Sequence, residues 1–120
     1  MSNTIQSYRD LVAWQRARVL VRGVYELTAG LPASERFGLM SQMRRASIGV
    51  MSNIAEGYGR GSRQDYMRFL RIARGSLFEL ESQVVVSMDL GFFDQDQAQR
   101  LHALVEEVAK PLSGLLRSLE

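Results

Sequence analysis

The chain has 120 residues, 46% of them hydrophobic, with two prolines and no cysteine. That length makes one domain, which buries roughly two-thirds of its unfolded surface without staples; the absence of cysteine excludes a disulfide framework and a thiolate metal site, and fits a reducing compartment. The formal charge of +2 is unevenly divided, with twelve arginines against five acids in residues 1–74 (net +7) and three basic residues against eight acids in residues 75–120 (net −5).

The opening MSNTIQSYRD has no apolar run behind a basic stretch, so no signal peptide is expected. No window reaches the roughly 18 apolar residues of a membrane span, and the expectation is a cytoplasmic protein with no membrane contact. The first helix is expected from about Leu11 to Ala29, where Ala13, Ala17, Leu20, Val24 and Leu27 repeat at spacings of four and three. Gly30, Leu31 and Pro32 end it. The second runs from about Ser34 to Tyr58, with Ser34 as N-cap, Glu35 in the first turn, and Leu39, Met43, Ala46, Val50 and Ile54 as its inner stripe. The third opens at Ser62 with Asp65 three residues on, turns Tyr66, Leu70, Ala73, Leu77, Leu80, Val84 and Met88 inward, and ends at Gly91. The fourth opens at Asp94 with Gln97 three residues later. Ala98, Leu101, Val105, Val108, Leu112, Leu115 and Leu119 form its stripe, and Pro111 kinks the helix without ending it, because the stripe continues past it. Short links force antiparallel neighbours, so residues 1–120 are expected to form one all-α, up-down antiparallel four-helix bundle.

The second helix is apolar over more than half its perimeter. Phe37, Met40, Ile48, Met51 and Tyr58 stand outside the inner stripe and leave only a narrow polar strip at Gln42, Arg45, Gly49, Ser52 and Glu56. Either this helix is wrapped on all sides within the chain, or part of it packs on another copy. Met67, Arg71, Arg74 and Phe78 lie on one outer line of the third helix and have the composition of an interface. The oligomer-interface candidates are therefore Phe37, Met40, Ile48, Met51, Tyr58, Met67 and Phe78. An antiparallel hairpin centred near Arg60 sets Ala46 near Gly75, Gly49 near Ile72 and Ala73, and Ser76 near Arg45, with Glu79 in reach of Arg45 or Arg44.

Three stretches carry a family pattern: Gln42-Met43-Arg44-Arg45-Ala46-Ser47, Asn53-Ile54-Ala55-Glu56-Gly57, and Ile72-Ala73-Arg74-Gly75-Ser76-Leu77-Phe78-Glu79-Leu80-Glu81. With Leu11-Val12-Ala13-Trp14-Gln15 before them, the chain from about Tyr8 to Gly91 resembles the four-helix-bundle family of 23S rRNA intervening-sequence proteins. Some of its members are encoded inside insertions in large-subunit ribosomal RNA genes. The resemblance implies a homopentameric ring and, from some relatives, a basic surface offered to nucleic acid. It marks Arg45, Asn53, Glu56, Gly57, Ser76 and Glu79 as motif positions. Asn53 and Glu56 are expected to be structural, with an arginine partner for Glu56, which gains nothing from the dipole at a helix C-terminus.

No enzyme chemistry is expected. His102 is the only histidine and reads as a solvated or half-buried side chain. Glu-x-x-His pairs for a di-iron site, clustered ligands for zinc and the lysine of a phosphate loop are all missing, so no catalytic residue, metal or cofactor is assigned. The carboxylate pairs Glu79/Glu81 and Glu106/Glu107 point to different faces or lie in solvent.

Two functions remain. Arg44, Arg60, Arg63, Arg68, Arg71 and Arg74 crowd one stretch, opposed only by Glu56 and Asp65, and suit phosphate contacts to RNA or DNA. Alternatively, the acidic C-terminal half neutralises these arginines, and the oligomer is a protein-interaction scaffold that binds no nucleic acid. A GC-rich coding sequence would give the same arginine excess without functional meaning.

Overall fold

The computed structural model describes residues 4–120. Its helices are α1 (Val12–Thr28), α2 (Leu39–Tyr58), α3 (Arg63–Asp89) and α4 (Gln95–Leu119), with short 3-10 turns at Tyr8–Asp10 and Ala33–Glu35. Helix α1 packs on α2 and α4, and α3 packs on the same two, so α1 and α3 are diagonal in a square bundle. At 1.5 Å per residue α3 is about 40 Å long, close to the 45 Å long dimension of the molecule. The expected all-α, up-down four-helix bundle is the observed fold.

Local chemistry sets the helix ends. The Ser62 hydroxyl accepts from the Asp65 N–H at 3.1 Å. Asp94 and Gln97 form a reciprocal capping box, with bonds of 2.8 and 2.9 Å. Gly91, at φ +77°, occupies the left-handed position that closes α3, and the Phe92 N–H reaches back to the Ser87 carbonyl at 2.8 Å. Helix α2 starts later than expected: Ser34 lies in the 3-10 turn and Gly38 takes the N-cap place. The Glu35 carboxylate accepts from the Leu39 N–H at 3.1 Å, so Glu35 caps the helix from outside it.

The core follows the predicted stripes, from Ala13, Ala17, Leu20 and Val24 on α1 to Leu101, Val105, Val108 and Leu112 on α4. Two departures run in opposite directions. Late in α3 the inward place falls to Ser87, which continues the strict three-four repeat through Leu80 and Val84; Ser87 is fully buried and donates to the Gln83 carbonyl at 2.8 Å, while Met88 is exposed. Late in α4 it falls one residue beyond the repeat, to Leu116, as the drift of about 20° per heptad of an ideal helix favours, and Leu115 lies half-buried on the flank. Leu11, Leu31 and Phe93, from outside the helices, close the core.

Candidate nucleic-acid interface

Helices α2 and α3 meet along a seam of small residues. A Cβ on Gly49 would stand 3.3 Å from the Ser76 hydroxyl, so Ser76 faces Gly49. Asn53 donates to the Gly49 carbonyl at 2.7 Å and keeps its amide satisfied within α2. A Cβ on Gly57 would lie 2.9 Å from the Phe69 Cβ and 3.1 Å from the Tyr66 carbonyl, which explains a glycine inside the helix there. Gly75 is exposed, and a Cβ on it would meet nothing, so it does not pack on Ala46 as expected. Of the narrow polar strip of α2, only Gly49 lies under α3; Gln42, Arg45, Ser52 and Glu56 are exposed.

Arg45 and Glu79 line one groove with Gln42, Ser82 and Gln83. They form no ion pair among the described residues, and neither does Glu56, which is exposed. The arginine partner expected for Glu56 is absent because its side chain points into solvent beyond the seam. Beside the groove the Oε1 of Gln83 is buried without a hydrogen-bond partner. Near the hairpin turn, burial and then the neighbouring Tyr58 ring raise the Tyr66 hydroxyl above the usual tyrosine range; the two rings meet edge-on at 6.1 Å.

The other arginines of this hairpin divide into three groups. Arg44 turns toward α1, donates from Nε to the Thr28 hydroxyl at 2.9 Å and lies 4.4 Å over the Tyr25 ring. Its half-buried guanidinium ties two helices together. Arg60 and Arg68 flank Asp65, each at 3.7 Å, and both lie over the Phe69 ring, at 5.2 and 4.7 Å. Arg63, Arg71 and Arg74 are exposed and have no acidic partner among the described residues. Arg63, Arg68 and Arg71 share an open groove of about 730 Å³ with Gln64 and Met67.

The acidic C-terminal half does not reach these groups. Glu107 pairs with Arg16 at 3.6 Å and Arg100 with Glu26 at 2.8 Å, and both pairs join α4 to α1. No ion pair among the described residues joins α4 to an arginine of α2 or α3.

The profile of 23S rRNA-intervening sequence proteins matches residues 9–114, nearly the whole chain. The chain belongs to that family. A solved structure with the same fold is a protein of unknown function from the S23 ribosomal protein family of Bacteroides thetaiotaomicron, at TM-score 0.81 and 20% identity, covering 88% of this chain and 96% of that one. No curated protein matches.

This family member leaves two apolar patches in solvent. Phe37 is 88% exposed and lines a groove with Met40, Ile48, Tyr25 and Arg36. Phe78 is 60% and Ile72 42% exposed on α3. Of the other interface candidates, Met40, Met51, Tyr58 and Met67 are partly buried against the chain's own core. The bundle therefore absorbs part of the apolar excess of α2. No helix among the described residues is long and apolar enough to cross a membrane. His102 is exposed, with its Nδ1 3.6 Å from Glu81 Oε2. That meeting was hidden in the sequence, because the two residues lie on different helices.

Proposed function

We propose that this family member is a non-enzymatic homo-oligomer, a ring of five copies, that holds RNA by its phosphates along the α2–α3 face. The observation that carries the reading is the set of Arg63, Arg71 and Arg74, exposed and without an ion-pair partner among the described residues, while the ion pairs of α4 with arginine, Glu107 with Arg16 and Arg100 with Glu26, go to α1. Exposed guanidiniums without a carboxylate suit bidentate phosphate contact. Arg60 and Arg68, which share one carboxylate between two cations, add to the positive field. Arg44 is left out, because its guanidinium is engaged inside the chain.

A closed ring of more than two copies needs two different, complementary patches on each chain. Phe37, Met40 and Ile48 supply one, and Met67 and Phe78 along α3 the other. The number five rests on the family resemblance.

The test is electrophoretic mobility shift with single-stranded and duplex RNA and with DNA, at low and moderate salt. Binding is expected at low salt, with little sequence preference and a steep loss as salt rises. Arg71→Glu and Arg74→Glu should each weaken it and flatten the salt slope by about one unit. No shift at low salt overturns the reading. The competing reading, a protein scaffold without nucleic acid, is favoured by the exposure of Phe37, since an aromatic side chain left 88% in solvent suits burial against a partner. A specific protein captured from nuclease-treated lysate, lost in Phe37→Ser, would favour it.

A further inference from the structure

We propose that Glu81, His102 and Glu106 form a binding site for one divalent transition-metal ion of the zinc class, joining α3 to α4. His102 and Glu106 are four residues apart on α4 and so stand one turn apart on the same side. The antiparallel packing brings Glu81 of α3 against them. One ligand atom from each residue lies within 4.8 Å of the other two. Ligands around a tetrahedral ion at zinc distances stand about 3.4 Å apart. His102 and Glu106 are exposed and Glu81 is half-buried, so small rotations close the difference.

The charge balance is a second, independent observation. Neither carboxylate pairs with an arginine or lysine among the described residues; the Glu81 partner is His102 itself. With the imidazole neutral, the cluster carries two negative charges and no permanent cation, which one dication would balance. An imidazole nitrogen with two carboxylates suits zinc, cobalt or manganese, whereas magnesium and calcium favour oxygen ligands alone. Glu81 and His102 also line a groove of about 260 Å³ floored by Val84, Val85, Met88, Ala98 and Val105. This apolar wall strengthens the electrostatic attraction on one side and leaves room for water to complete the coordination.

The test is thermal unfolding of tag-free, EDTA-dialysed full-length protein against ZnCl₂, with CoCl₂ as a visible-absorption probe and MgCl₂ as control. The unfolding midpoint should climb with zinc, the folding equilibrium shifting about hundredfold when free zinc reaches one hundred times its dissociation constant. Cobalt should develop a d–d absorption band, and magnesium should do nothing. His102→Ala should abolish both the zinc shift and the cobalt band, and Glu106→Gln should weaken them. Both positions are exposed, so circular dichroism should show each variant folded as the parent. An unmoved midpoint in the parent protein would reduce the cluster to a surface ion pair and overturn the proposal, as would an equal zinc shift in folded His102→Ala.

Discussion

Arg44 donates to the Thr28 hydroxyl at 2.9 Å and lies 4.4 Å over the Tyr25 ring. Arg71 sits exposed on α3 and forms no ion pair among the described residues. Removing the first takes away an interhelical hydrogen bond and a cation–π contact, and Arg44→Ala should lower stability by about 1–2 kcal/mol. Arg71→Ala should change stability by less than about 0.5 kcal/mol and should weaken RNA binding. Denaturant melts alongside a binding assay check the pair, and equal stability losses would contradict the division made here. Composition shows both arginines as one undifferentiated cluster. Only the register of α1 against α2 reveals that one of them is engaged. The same limit hid Glu81 beside His102 and left Glu56 without its expected partner.

The α2–α3 hairpin shows how two glycines on facing helices differ. Gly57 lies where a Cβ would come 2.9 Å from the Phe69 Cβ and 3.1 Å from the Tyr66 carbonyl. Gly57→Ala should therefore cost about 1–3 kcal/mol through overpacking, read as a lower urea midpoint. Gly75 has open space around it. Gly75→Ala should stabilise an isolated chain by up to about 1 kcal/mol through helix propensity. If the exposed face of α3 is an interface, the same change should loosen the assembly, and the two effects separate when melts are run at several protein concentrations. The helices and their inner stripes were legible in the sequence because burial imposes one period on each segment. The late shift to Leu116 was not, because a seven-residue pattern hides the drift of a real helix, and neither was Ser87, a buried polar residue that no apolar stripe marks beside Met88. The start of α2 was missed because Glu35 caps it from the preceding turn, a contact between side chain and backbone that no spacing of apolar residues records.

At the scale of the molecule, the chain separates its charges instead of cancelling them. Ion pairs of both polarities, Glu107 with Arg16 and Arg100 with Glu26, cross the α1–α4 seam, and the α2–α3 face keeps arginines without an ion pair among the described residues beside exposed Phe78. The bundle covers only part of the apolar perimeter of α2, leaving Ile48 in solvent, and Phe37, in the turn before that helix and not on it as expected, is exposed beside it. Repeating this face around a ring would bury both aromatic patches and gather the arginines of several copies into one continuous surface. Multi-angle light scattering on the folded, nucleic-acid-free protein at low micromolar concentration tests that claim most directly. A particle of five times the 13.6 kDa chain mass is expected, which Phe37→Ser or Phe78→Ser should break into smaller species. A well-folded particle of 13.6 kDa would contradict it.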